Sequence, residues 1–287
     1  MPELPEVHAL ALDLTKRLQG RLVERVDVVA FSALKTFDPP LSAVGGRTVR
    51  EVTQHGKYLD FDLDGLHLVL HLARAGWIRW YDALPPPRPG RGALAARLVL
   101  DDGAGLTITE AGSKKSLAIW VVTDPADVPG IATLGPEPLA DDFTPAVFAE
   151  ILRQAGRAQI KGVLRSQSLI AGIGNAYSDE ILHAARMSPF KPAAMSEDEV
   201  ARLYGALRST LQEAVARADG VAASELKGEK RSGMRVHGRT GEACPVCGDT
   251  VRQVRFADST LQYCATCQTG GKPLADRALS RLGIPMT

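Results

Sequence analysis

No stretch of this 287-residue chain approaches the roughly 20 uncharged apolar residues that a membrane span needs. The first ten residues, MPELPEVHAL, put acids and prolines where an export signal would carry a basic region and an apolar core. Both absences point to a cytoplasmic protein, nucleoid-associated in a bacterium. There is no internal repeat and no low-complexity tract, so solenoids and disordered scaffolds drop out. Net charge is nearly absent, at +1, and alone says little about partners. Cysteine is missing until Cys244, and all four lie within Cys244–Cys267. The length suits two domains with a small appendage.

What is present is uneven along the chain. From Val221 to Thr287 ten Lys and Arg face six Asp and Glu, which leaves +4 there and −3 over the first 220 residues. A basic end suits a nucleic-acid partner and also an ordinary solvated surface. The cysteines read CPVC, sixteen residues, then CATC. Each CxxC forms a tight knuckle that presents two thiolates to one tetrahedral ion, so Cys244, Cys247, Cys264 and Cys267 predict one zinc. Four protein ligands leave no open position, and such an ion holds structure without doing chemistry.

From Leu22 to about Thr133 short runs such as YLDFDL, LHLVLHL and GLTITEAG are rich in Val, Leu, Ile and aromatics and punctuated by Gly, Pro and Asp. Their close spacing predicts a β-sandwich or barrel-like domain; PPPRPGR at 85–91 reads as a loop. LGPEPLADDF at 134–143 breaks the pattern and reads as a linker. Beyond it, 144–155, 158–167, 176–187 and 196–218 carry apolar residues at helical spacing, and Ser196 with Glu199 forms a capping pair. The polar, glycine-rich segment 222–241 reads as a loop into a hairpin made of VRQVRF and TLQYC.

Two stretches carry candidate chemistry. In MPELPEV, Val7, Leu10, Leu14 and Leu18 recur at helical spacing, so a helix starts at once. Removal of Met1 would expose the secondary amine of Pro2, and an amine can attack a carbonyl to form a Schiff base. The same residues also read as an ordinary proline-rich helix start. In SLIAGIGNAYSDEI, Gly172, Gly174 and Asn175 stand just before a helix, where free N–H groups favour an anion such as phosphate. Alone, that turn is equally a tight connection between helices.

Taken together, MPELPEV, the HGKYL around Lys57, LGPEPL, IAGIGNAYSDEIL and CPVC…CATCQ, in one order over nearly the whole chain, resemble the formamidopyrimidine-DNA glycosylase/endonuclease VIII family. The resemblance implies an α+β multidomain fold. Its parts would be an N-terminal catalytic β-sandwich with a leading helix (1–133), a linker (134–143), a helix–two-turns–helix DNA-binding domain (144–221) and a basic loop with a zinc-finger β-hairpin (222–287). It implies a monomeric base-excision repair enzyme acting on double-stranded DNA with a damaged base or abasic site. Pro2 would be the nucleophile of a glycosylase and abasic-site lyase, cleaving the strand by β/δ-elimination. Glu3 would be the general acid/base, Lys57 would bind a phosphate near the lesion, and Asn175 and Lys161 would make further DNA contacts. Glu6, one turn on, would help position the terminus, or is simply an acid favoured by the helix dipole.

Three departures fall on functional positions. Five residues before the third cysteine, where the family carries an arginine at the hairpin tip, this chain has Ser259; Arg252, Arg255 and Lys272 are the candidates to compensate. HLARAG places Arg74 where the family commonly has a methionine that fills the vacated space, and GSKKSLAIW puts Lys114, Lys115 and Ser116 where it commonly reads Arg-Arg-Phe. Polar residues in place of apolar wedges shift such a site towards phosphate and polar base contacts. The lesion therefore stays open between oxidised purines, oxidised pyrimidines and bulkier adducts. Two rival readings remain: a protein that binds damaged or abasic DNA with little turnover, and an abasic-site lyase with weak glycosylase activity.

Overall fold

The computed structural model describes residues 1–86, 93–257 and 259–275. The loop expected at 85–91 lies outside the described residues from position 87 on. The chain divides into two compact units, one made of 1–134 with 217–227 and the other of 135–216 with 228–287.

The first unit opens with α1 (Leu4–Leu18). Its apolar stripe Val7, Leu10, Leu14 and Leu18 is at most 1% exposed, and each such aliphatic side chain contributes about 1.5–3 kcal/mol by leaving water. Two antiparallel sheets follow. One has the order β2-β1-β7-β8-β6, made of β2 (Arg47–Thr48), β1 (Leu22–Val28), β7 (Leu94–Leu100), β8 (Gly105–Glu110) and β6 (Gly76–Tyr81). The other has the order β3-β4-β5-β9, made of β3 (Glu51–His55), β4 (Tyr58–Asp62), β5 (His67–His71) and β9 (Ala118–Val122). Leu59, Phe61, Leu68 and Leu70 of the second sheet share one core with Leu98, Leu106 and Ile108 of the first and with α1, so the sheets face each other as a sandwich. A short helix, α2 (Pro129–Ala132), closes this part.

The second unit is built on α3 (Pro145–Ala155), α4 (Ile160–Arg165), α5 (Asn175–Ala184) and α6 (Glu197–Ala218). Glu199 Oε2 accepts the Ser196 N–H at 3.2 Å and Ser196 Oγ accepts the Glu199 N–H at 3.4 Å, the reciprocal cap expected at the head of α6. The core joins Phe148, Ile160, Leu164, Ile173, Ile181, Leu203 and Leu207. A two-stranded hairpin, β10 (Val251–Arg255) and β11 (Thr260–Cys264), follows, then α8 (Ala265–Thr269).

One expectation is corrected. The segment 222–241 is not a loop throughout, because α7 (Leu226–Gly233) forms inside it. Two glycines in eight residues disfavour a helix by propensity, but tertiary contacts supply what propensity lacks. Leu226 is 1% exposed, Lys227 Nζ sits 4.5 Å from the Trp77 ring centre, and the Trp77 indole donates to Ala223 O at 2.9 Å. Lys230 Nζ likewise lies 4.6 Å from the Tyr177 ring centre.

Candidate active site and zinc centre

At the head of α1 the local sequence builds its own cap. Glu3 is extended at the N-cap, Pro5 takes an early helical position where a missing N–H costs nothing, and Glu3 and Glu6 form a reciprocal capping box. Glu6 Oε2 accepts the Glu3 N–H at 2.8 Å. Pro2 is buried, Glu3 and Glu6 are each 2% exposed, and Met1 is 44% exposed. The terminus is thus fixed by two buried carboxylates, one on each side of the cap. Glu6 does both things that the sequence left open: it occupies the first helical turn and it holds the backbone next to Pro2.

Lys57 follows Gly56 in the two-residue turn between β3 and β4, where His55 pairs with Tyr58. Gly56 has φ +55°, the left-handed region that a side chain would strain. Lys57 is 8% exposed. Burial first, then the Lys57 ammonium, lower the His71 pKa to about 4, so the His71 ring is neutral near pH 7 beside a cation. His71 pairs with Tyr58 across β4 and β5, with ring centres 4.7 Å apart. Sequence reading missed His71; the signal was its place at the start of HLARAG, the motif singled out for Arg74.

Beyond β5 the chain turns through Ala73, a non-glycine residue at φ +51°, and Gly76 N–H closes the turn on Leu72 O at 2.8 Å. A Cβ on Gly76 would meet that carbonyl oxygen at 2.1 Å, which requires glycine. The turn exposes Arg74. The loop after β8 is tied by a second residue the sequence reading missed, Glu110, only 3% exposed. Its Oε1 accepts the N–H groups of Ser116 (2.8 Å) and Leu117 (3.1 Å). Lys114, Lys115 and Ser116 are exposed on that loop, and Lys115 Nζ donates to Glu110 O.

In the second unit the residues at the head of α5 are organised from within. Asn175 Nδ2 donates to Thr260 O of β11 at 2.7 Å, while its Oδ1 is buried with no hydrogen-bond partner. Lys161, expected among the DNA contacts, lies inside the unit. It is 6% exposed, and its Nζ donates to Asp179 Oδ1 (2.6 Å), Ser178 Oγ (2.7 Å) and Asn175 O (3.2 Å). The apolar surroundings of α4 and α5 force such a cation to pair internally. Asp179 also bonds the His237 ring at 2.7 Å and accepts the Gln262 N–H at 3.2 Å. Glu180 accepts the N–H groups of Arg235, Val236 and His237 at 2.8–2.9 Å. Burial raises the Glu180 pKa, and these three donors oppose that shift. The two acids of α5 therefore hold the segment 235–237, which leads into the first cysteine pair, and β11, which ends at Cys264. Ser259 lies half-buried at the hairpin turn, where its carbonyl accepts the Phe256 N–H at 2.8 Å. Of the candidates to replace the tip arginine, Arg255 is exposed in the cross-strand pair next to the turn. Arg252 is half-buried, and Lys272 is exposed past α8.

The sulfur atoms of Cys244, Cys247, Cys264 and Cys267 all lie within 4.8 Å of one another. A tetrahedral zinc with four ligands at about 2.3 Å puts sulfurs about 3.8 Å apart, so the donor set fits one structural zinc. The Cys244–Cys267 and Cys247–Cys264 pairs are at 3.9 and 3.3 Å. His183 Nε2, on α5, lies 3.3 Å from Cys244 Sγ and fixes that ligand's orientation.

The family models that match are the formamidopyrimidine-DNA glycosylase N-terminal domain over 1–112, the corresponding H2TH domain over 134–225, and the zinc finger found in FPG and IleRS over 241–270. The chain is 37% identical over 278 residues to the formamidopyrimidine-DNA glycosylase of Symbiobacterium thermophilum, covering 93% of this chain and 89% of that protein. It is 55% identical over 158 residues to an uncharacterized formamidopyrimidine-DNA glycosylase-like protein of Mycobacterium tuberculosis, covering 55% of this chain and 98% of that one. Among solved structures, Lactococcus lactis FPG in complex with FAPY-dG containing DNA matches with TM-score 0.82 at 27% identity, covering 93% of this chain and 100% of that one. The L. lactis Fpg complex with abasic-site DNA matches with TM-score 0.82 at 27% identity, covering 93% and 99%. With three matching domain models in order and full-length relatives above 30% identity, the chain belongs to the formamidopyrimidine-DNA glycosylase family, the base-excision-repair DNA glycosylases in which abasic-site lyase activity is typical.

Proposed function

We propose that this protein excises damaged bases from double-stranded DNA through Pro2 and then cleaves the strand, acting as a monomer in the cytoplasm. The observation that carries the reading is the capped terminus: a buried Pro2 held between Met1 and two carboxylates that are 2% exposed. While Met1 is attached, the Pro2 nitrogen is an amide; its removal leaves a secondary amine. The damaged nucleotide leaves the stack to bring C1′ within reach. The Pro2 nitrogen attacks C1′, the C1′–N bond breaks, and its electron pair leaves with the base, which takes up a proton. Glu3 is the general acid/base for these proton transfers near the sugar ring. Loss of the amine proton and opening of the sugar leave an iminium between Pro2 and C1′. Removal of a C2′ proton then expels the 3′ phosphate by β-elimination. A second elimination expels the 5′ phosphate, and hydrolysis returns Pro2.

Lys57 supplies positive charge to a phosphate, and His71 offers a neutral ring beside it. Asn175 Nδ2 has a second N–H besides the one given to Thr260 O, which suits a further phosphate. Lys161 orients that turn from below rather than touching DNA. Arg74, Lys114 and Lys115 are exposed for contacts with the duplex, and Ser259 supplies at most a hydroxyl at the hairpin turn. Ser259 and Arg74 favour one rival, a damage-binding protein with little turnover.

Borohydride trapping on a duplex with one abasic site separates the readings. Wild type should give a covalent adduct that maps to Pro2 by peptide analysis. Pro2→Gly should lose it while still binding. Tight binding by wild type with no adduct would overturn the catalytic reading and leave the rival. Strand cleavage at abasic sites with no release of any damaged base from a lesion panel would mark a lyase with weak glycosylase activity.

A further inference from the structure

Phe31 and Phe37 are 84% and 88% exposed, whereas no other large apolar side chain among the described residues exceeds 52%. Single exposed aliphatics are ordinary, but two phenylalanines left in water within seven residues call for a partner. The backbone that presents them is firmly held. Val29 and Ala30 N–H groups both bond Ala95 O, at 2.8 and 3.0 Å. Ala33 is 3% exposed in the sandwich core. Leu34 bridges Ile119 of β9, Lys35 N–H bonds Ile119 O at 2.8 Å, and Thr36 Oγ1 accepts the Val121 N–H at 2.8 Å.

These anchors flank the 111–117 loop. On one side Ala93 O accepts the Glu110 N–H, close to the Ala95 anchor, and Glu110 in turn holds Ser116 and Leu117. On the other side Ile119 lies just past the loop. Leu34 pairs in parallel with Ile119, two residues past the loop's end at Leu117, and Phe31–Ala33 forms one 3-10 turn whose Phe31 carbonyl accepts the Leu34 N–H at 3.2 Å, so Phe31 and Lys35 flank this bridge. Lys35 and, on that loop, Lys114 and Lys115 are all exposed, and among the described residues none has a carboxylate partner. Lys35 bonds Ser32 O and Lys115 bonds Glu110 O; both retain donors for an anion. The acid on this segment is Asp38, beyond Phe37.

An aromatic face among unpaired lysines on a rigid backbone fits nucleic acid, with the base on the ring and phosphates on the ammonium groups. A stacking platform needs an unstacked base. Extrusion of a damaged nucleotide creates one, because the base opposite loses its partner. We propose that Phe31 stacks on that orphaned base of the bound DNA, while Lys35, Lys114 and Lys115 hold the phosphates around it. This rests on the proposed reading that damaged duplex DNA is the substrate.

The test compares wild type, Phe31→Ala, Phe31→Trp and Phe37→Ala on a duplex with one tetrahydrofuran abasic analogue and on the same duplex undamaged. Phe31→Ala should weaken binding to the abasic duplex roughly 5- to 100-fold. It should leave undamaged-duplex affinity and the urea midpoint unchanged, because the side chain packs on little. Phe31→Trp should restore binding, and Phe37→Ala should change it less. Equal weakening on both duplexes, or no change, overturns the inference. So does a wild-type dimer that Phe31→Ala dissociates with DNA affinity intact, since the patch would then be a self-association surface. Borohydride trapping of the same proteins on a duplex with a true, aldehydic abasic site distinguishes the failures: wild type that traps at Pro2 with Phe31→Ala indistinguishable in binding sinks this inference alone. Wild type that neither binds nor traps removes both.

Discussion

Replacing Lys161 by methionine asks whether this lysine meets DNA or holds the second unit together. The buried geometry puts it inside. Its side chain is 7% exposed against an Asp179 side chain at 0%, with 2.6 Å between Nζ and Oδ1. A methionine fills much of the same volume but leaves Asp179 buried without its cation. Removing one partner of a buried pair costs about 3–5 kcal/mol. His237 and Gln262 still bond the carboxylate, so the lower end applies. In a unit of this size the corresponding fall in Tm is roughly 10 °C. The Asn175 carbonyl loses the Lys161 donor and keeps the Ser178 hydroxyl, so the turn proposed to bind phosphate should loosen and DNA affinity should fall. The decisive quantity is the salt dependence of that affinity. A lysine on a phosphate contributes about 0.9 to the slope of log K against log salt. A buried lysine contributes nothing, so the variant should bind more weakly with an unchanged slope, and its urea midpoint should drop. An unchanged midpoint with a slope reduced by about one would refute the structural role and restore the surface contact.

His71 gives a pH signature. Its native pKa of about 4 lies below the ordinary 6.5, first from burial and then from Lys57, so the unfolded chain takes up the proton first. The stability from the neutral ring is fully present above pH 6.5 and is lost as pH falls towards 4. In urea titrations the advantage of wild type over His71→Gln should shrink between pH 7 and pH 4.5, and a constant gap would refute the coupling. The zinc hairpin should respond to acid and chelators. Burial pushes the Cys264 thiol up to about 11 and the Cys267 thiol up as well, so protons compete with the metal. One zinc per chain is expected, with affinity falling as pH falls. Cys244→Ser should lose the metal and weaken DNA binding while the sandwich stays folded; retained zinc stoichiometry and unchanged binding would count against that role.

Much of the architecture was legible because local rules and tertiary needs agreed. The α1 stripe, the strand runs and the helical spacing beyond 144 reflect periodicities fixed by backbone geometry, and they are the buried faces of the observed elements. The cysteine spacing was equally direct, since a knuckle and a tetrahedral ion leave few alternatives. The sequence could not show that α7 would form, because Leu226, Trp77 and Ala223 meet only in the folded chain. Nor could it separate Lys57 from Lys161: both are buried lysines in family motifs, 8% and 6% exposed, and it is the position of Asp179 that commits the second to an internal pair. His71 escaped notice because an imidazole has no local pattern until Tyr58 and Lys57 arrive from β4 and the turn before it, and Glu110 because its partners are backbone N–H groups of Ser116 and Leu117, which any residue supplies. The sequence by itself therefore determined α1, the sandwich strands, the main helices beyond 144 and which metal the hairpin takes, and it raised Pro2 as a candidate nucleophile. The tertiary structure decided which charges face outward and which are spent holding the fold, because desolvation and pairing depend on neighbours far away along the chain.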